Sequence, residues 1–167
     1  MICVLREKGD RKLDNKDFKK IVNEIFKEYG FNRNKKCFYK DYGEIYLKFD
    51  LQKSNYSNGW YINYSIIIKD LHADEEVLDN WEQDLSGRVI FKPGKQSPDL
   101  MDLDNVGDIE QFKLMVHNGI SGIICMIEQG GLKHYINNNP KMICTASIWA
   151  QEYMLEKEYI KKNQRNS

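Results

Sequence analysis

Residues 49–70, "FDLQKSNYSNGWYINYSIIIKD", decide the architecture, because they alternate apolar and polar, stop at a run of Asn, Ser and Gly, and alternate again. Side chains along a strand point to opposite faces with a period of two. Ile45, Leu47, Phe49 and Leu51 therefore share one face of a strand over residues 44–53, and Trp60, Ile62, Tyr64, Ile66 and Ile68 share one face of the next. Residues 54–59 supply the turn between them. Working back, residues 37–40 read as a shorter strand and Asp41-Tyr42-Gly43 as its turn, which predicts an antiparallel meander.

Ahead of the meander stands an amphipathic helix. Asp14 is placed to cap it, Asp17 favours its first turn, and Leu13 and Phe18 occupy the two positions of a hydrophobic staple. Phe18, Ile21, Val22, Ile25, Phe26 and Tyr29 recur at the spacing that gathers them on one stripe. Gly30 suits the left-handed position just past the end, with Phe31 folding back toward Phe26. Laying that stripe on the apolar face of the meander gives a two-layer α+β unit, each large side chain contributing about 1.5–3 kcal/mol of transfer free energy.

The remainder predicts helices. Residues 70–108 read mainly as connection, with one strand over 88–92 bounded by Ser86-Gly87 and Pro93-Gly94. From Asp108, the series Ile109, Phe112, Val116, Ile120, Ile123, Ile127 predicts a long helix ending near Gly130-Gly131, with Gly119 and Gly122 permitting a close crossing. A helical turn over 132–136, stopped by Asn137-Asn138-Asn139-Pro140, precedes a last helix over 142–161 with Met142, Ala146, Trp149, Ala150 and Tyr153 on one stripe. The expectation is one α+β domain over 1–167, with an N-terminal arm over 1–13, a polar tail over 162–167, and C-terminal helices set to cover the other layer of the sheet.

Composition excludes several classes. Hydrophobic and charged shares of 41% and 30% are globular rather than disordered. Cys3, Cys37, Cys125 and Cys144 form no C-x-x-C pair and His72, His117 and His134 stand far apart, so neither zinc nor a disulfide framework is indicated and no metal or cofactor is expected. The thiols read as free and mostly buried, Cys125 and Cys144 as small core residues. No G-x-S-x-G elbow or phosphate loop occurs. No apolar run reaches the length of a membrane span and no signal segment opens the chain, so the expected setting is cytoplasmic, without a membrane partner.

Charge is uneven along a neutral chain. Residues 1–60 carry 14 Lys+Arg and 9 Asp+Glu, a balance of +5, whereas residues 70–110 carry 3 and 12, a balance of −9. Asp74, Glu75, Glu76, Asp79, Glu82 and Asp84 thus mark an acidic segment suited to a basic protein partner. A nucleic-acid role for the basic stretch "NRNKKCFYK", residues 32–40, is disfavoured because it holds only four cations.

The polar side of the meander is the second candidate surface. Lys48, Asp50, Gln52, Lys53, Tyr61 and Asn63 offer amides, charges and a ring where a merely solvated strand would carry Lys, Glu and Thr. Asp50 and Lys53 fall on opposite faces of their strand and have no second acid, which argues against a nuclease arrangement.

Gly30-Phe31, Lys35-Lys36, Phe38-Tyr39, Gln52-Lys53-Ser54 and Tyr61-Ile62-Asn63, at these separations, make residues 17–68 resemble the bacterial family known as domain of unknown function 4304. Gly87-Arg88-Val89-Ile90-Phe91 fits the family's next strand only loosely. The resemblance implies an α+β fold and a bacterial cytoplasmic setting, and it implies no reaction; such families often sit among toxin, immunity and defence genes. The functional expectation is a non-enzymatic protein-interaction module, with an immunity-like role as its finer form. The alternative is a small-ligand-binding protein or enzyme using the polar sheet face. Oligomeric state is not legible.

Overall fold

The computed structural model describes residues 13–72, 83–91 and 97–164. In chain order these form α1 (Asn15–Glu28), β1 (Asn32–Asn34), β2 (Cys37–Asp41), β3 (Ile45–Lys53), β4 (Gly59–Ile68), β5 (Leu85–Arg88), β6 (Met101–Asp102), α2 (Ile109–Asn138) and α3 (Ile148–Glu156), with short 3-10 turns between. The sheet is antiparallel, ordered β1-β2-β3-β4-β5, and β6 pairs with β4 beyond the end of β5.

The first helix begins and ends where local chemistry dictates. Asp14 accepts from the backbone N–H groups of Lys16 and Asp17, both at 2.8 Å, satisfying two donors that a helix start leaves open. At the other end Gly30 takes φ +76°, and Phe31 N–H reaches Phe26 O at 3.0 Å while Gly30 N–H reaches Lys27 O at 3.0 Å, the paired bonds of a Schellman closure. Phe18, Ile21, Val22, Ile25 and Phe26 are buried, and Leu13 joins them in the core rather than belonging to an arm.

The sheet's inner face carries the predicted apolar rows. Phe49 lies opposite Tyr64, Leu47 opposite Ile66 and Ile45 opposite Ile68, and Phe26 stacks on Phe38 at 4.5 Å between ring centroids. Contrary to expectation, the C-terminal helices pack on this same face. Phe112 meets Phe18 edge to face at 5.9 Å, and Tyr135 hydrogen-bonds Tyr64. A Cβ on Gly119 would lie within 3 Å of Phe91 and Val89, so Gly119 marks a close crossing, whereas Gly122 meets nothing among the described residues within 4 Å and does not.

Other boundaries moved. The fifth strand spans Leu85–Arg88 instead of residues 88–92, so Ser86-Gly87 lie inside it. The long helix continues through the two glycines as a kinked unit, Gly131 taking φ +62°. Its buried stripe includes Ile124, while Ile109 is exposed and Ile123 only partly covered. The predicted last helix divides, because Ser147 caps a new one by accepting Ala150 N–H at 3.1 Å; residues 140–145 form a 3-10 turn and Trp149 is 70% exposed. Cys37 is buried as expected, but Cys125 and Cys144 are exposed and are not core residues. Residues 32–40 form the β1–β2 hairpin, with Phe38 buried under α1. No helix among the described residues is long and apolar enough to cross a membrane.

Candidate functional site

With the helices gathered on one side, the strands' alternate residues line the opposite, outer face. Register sets them in rows. Cys37, Asp50, Asn63 and Arg88 stand side by side across β2, β3, β4 and β5, and Tyr39, Lys48, Ser65 and Ser86 form the next row. Gln52 pairs with Tyr61 at the far end.

The two rows differ in access. Lys48, Ser65 and the adjoining Ile67 are buried, whereas Asp50, Gln52, Tyr61, Asn63, Ser86 and Arg88 are partly or fully exposed. Burial holds the Lys48 ammonium below the usual lysine range, opposed by the fields of Cys37 and Asp50. The Cys37 thiol is pushed up by its own burial, against the field of Lys48. Ser65 Oγ is buried without a hydrogen-bond partner among the described residues. Lys48 is therefore part of the floor and not a contact surface, a correction to the expectation that the whole polar face is open.

The accessible row is cross-braced. Asn63 Nδ2 donates to Asp50 Oδ1 at 3.2 Å and to Gln52 Oε1 at 3.1 Å. Its Oδ1 accepts from Arg88 Nε at 3.1 Å. Because Arg88 can only donate, this fixes which way the Asn63 amide faces. Arg88 Nη1 pairs with Asp99 Oδ2 at 2.9 Å, its Nη2 reaches Gln52 Oε1 at 3.4 Å, and its guanidinium lies 4.1 Å over the Tyr61 ring. A flexible arginine is thereby held in one plane. Beside it opens a cleft of about 470 Å³ lined by Asp50, Asn63, Gln83, Ser86 and Arg88, with Tyr64 and Gly87 completing the wall.

Of the six predicted surface residues, Asp50, Gln52, Tyr61 and Asn63 converge here. Lys53 does not, since its partner is Trp60 and its parity places it with the inner rows. Arg88 and Asp99 were not anticipated as members. The sequence places Arg88 first in its strand, and a shift of that strand toward Leu85 is what pairs it with Asn63.

The acidic segment fares differently. Asp74, Glu75, Glu76, Asp79 and Glu82 lie outside the described residues. Asp84 is 3% exposed and is an internal joint rather than a docking group. Its Oδ2 accepts from Ile68 N–H at 2.7 Å and pairs with His72 Nε2 at 2.8 Å, and its Oδ1 accepts from Ser147 Oγ at 3.3 Å. His117 pairs with Tyr29 OH and Glu28, and His134 with Asn138. No metal-ligating group of His, Cys, Asp and Glu occurs among the described residues.

A second cleft of about 470 Å³ lies near the C-terminus, lined by Lys133, Asn137, Glu158 and the residues after it. Its lining comes from the end of α2 and the segment following α3, not from a braced sheet.

A family model described as "Domain of unknown function (DUF4304)" matches residues 22–125, more than half of the 167. No curated protein and no solved structure matches the chain.

Proposed function

Because the chain belongs to the DUF4304 family, whose description assigns no activity, we propose from the site alone that it is a binding module whose working surface is the outer face of the sheet. The observation that carries this reading is the fixed group Asp50–Asn63–Arg88, drawn from three strands and held by Gln52, Tyr61 and Asp99 beside the cleft. Immobilising an exposed arginine against a ring and three acceptors costs side-chain entropy that solvation alone does not repay. A ligand that finds these groups already oriented avoids that cost on binding. The bacterial cytoplasmic setting belongs to this reading as an expectation.

The test is a thermal-shift screen against sugars, amino acids, nucleosides and organic acids. One class should raise the melting temperature of the wild type and leave Arg88→Ala and Asn63→Ala unmoved, while Lys53→Ala responds like the wild type. If no class does so, the reading is refuted.

A protein-interaction role of an immunity-like kind rests on a different observation, the −9 balance of residues 70–110. Its test is titration with a basic partner protein, where reversing Glu75 and Glu76 to Lys should weaken binding and Arg88→Ala should not.

A further inference from the structure

Resting on the outer-face reading, we infer that the cleft takes a neutral, polyhydroxylated ligand, a saccharide. Three features of the lining converge on that class.

The first is the absence of an apolar wall among the described lining residues. Sites for drug-like or nucleobase ligands are lined mainly by hydrophobic and aromatic side chains. Here the side chains facing the cleft are those of Asp50, Asn63, Gln83, Ser86 and Arg88. Tyr64 contributes only from its strand, because its ring lies on the inner face with its hydroxyl bonded to Tyr135 at 2.7 Å. Affinity must come from hydrogen bonds, so the ligand must be dense in them.

The second is charge. Among the described lining residues one carboxylate, Asp50, stands against one cation, Arg88, and Arg88 is ion-paired with Asp99 at 2.9 Å. A site built for an anion would leave its arginine without a carboxylate, and one built for a cation would leave Asp50 without a neighbouring ammonium. Balance selects a neutral molecule.

The third is the order of donors and acceptors. Along the row, Asp50 accepts, Asn63 does both, and Arg88 donates; of its five N–H groups three are committed within the protein. Asp50 has one of two carboxylate oxygens engaged by Asn63. A hydroxyl donates and accepts at once, so adjacent hydroxyls of one sugar ring can give to Asp50 and receive from Arg88.

The probes are neutral mono- and disaccharides, observed by saturation-transfer NMR and titrated into the full chain. Dissociation constants on the order of 1 mM are expected, in keeping with recognition by hydrogen bonds without apolar burial. Asp50→Asn and Arg88→Lys, each retaining most of the side chain's bulk, should weaken binding at least about tenfold, since each leaves a hydroxyl or a protein group unpaired. Lys53→Ala should not change it. Amide spectra of each variant report whether it is folded. If sugars fail but an amino acid or nucleoside binds in an Arg88-dependent way, the ligand class is overturned and the outer-face reading stands. If nothing binds, or sugars bind regardless of Asp50 and Arg88, both fall.

Discussion

The buried tyrosine pair gives a sharp test of how the kinked second half of α2 is attached to the sheet. The hydroxyls of Tyr64 on β4 and Tyr135 on α2 meet at 2.7 Å, and the rings are edge to face at 6.4 Å. Tyr64 is 7% and Tyr135 1% exposed. Tyr64 also points at Met142 Sδ, 3.6 Å away, whereas Tyr135 OH has no other partner among the described residues. Tyr64→Phe keeps the ring packing and strands the Tyr135 hydroxyl, at a cost of about 1–3 kcal/mol. Tyr135→Phe leaves Tyr64 a weak sulfur acceptor and should cost about 1–2 kcal/mol.

Removing both hydroxyls leaves no polar group to strand. The double variant should therefore cost at most about 1 kcal/mol relative to wild type, so the coupling within the cycle is roughly 1–5 kcal/mol. Urea unfolding followed by tryptophan fluorescence measures all four species. Additivity of the two single substitutions to within about 0.5 kcal/mol would show that the hydroxyls do not share a bond, and would refute the placement of residues 132–138 on the sheet.

Three further perturbations test other joints of the fold. Burial raises Tyr64 and Tyr135, and burial with neighbouring carboxylates raises Tyr42 and Tyr153, while the hydrogen bond to Glu44 leads in pushing Tyr159 up to about 12. The unfolded chain loses these protons first, so the stability they contribute is complete below pH 10 and falls as pH climbs from 10 toward 12, by up to about 1.4 kcal/mol per pH unit for each fully buried ring; a melting temperature flat to pH 11.5 would contradict it. Gly131→Ala should cost about 1–3 kcal/mol, because φ +62° with ψ −156° is glycine backbone, whereas Gly122→Ala, with open space around it, should gain about 0.5–1 kcal/mol; equal responses in chemical unfolding would be inconsistent. Asp84→Ala strands the Ile68 N–H and unties β4 from the cap of α3, for an expected loss of about 2–4 kcal/mol in chemical unfolding; a loss under about 0.5 kcal/mol would remove Asp84 from its place as a joint.

What could be read from the chain follows from which signals are local. Period two put Phe49 opposite Tyr64 and left Asp50 and Asn63 on the other side, and the cap at Asp14 and the closure at Gly30 needed only neighbouring residues. The layer chosen by α2 was not legible, because its stripe states that one face is buried and not against which side of a sheet. The bounds of β5, Leu85–Arg88 rather than 88–92, were not legible for a similar reason. Ser86-Gly87 look like a turn, yet a Cβ on Gly87 would lie 2.5 Å from the Tyr64 hydroxyl and 2.6–2.8 Å from its ring carbons, so the glycine is there to let a ring lie across the strand. Asp99 could not be placed at all, since its role depends on where Arg88 ends up.

The same alternation builds both surfaces, and this ties site to core. Asn63 sits between Ile62 and Tyr64, each buried on the inner face, and Asp50 sits between Phe49 and the partly buried Leu51. A slip of one residue between β3 and β4 would expose the apolar row and break the bonds of Asn63 to Asp50 and Gln52 together. The helices pressed on the inner face oppose that slip through burial of rings such as Phe26 against Phe49, whose centroids are 4.9 Å apart. The outer row therefore does not need to stabilise the fold by itself. The entropy lost in bracing its amide and guanidinium is carried by a fold already secured on the inner face, which is the condition a recognition surface requires.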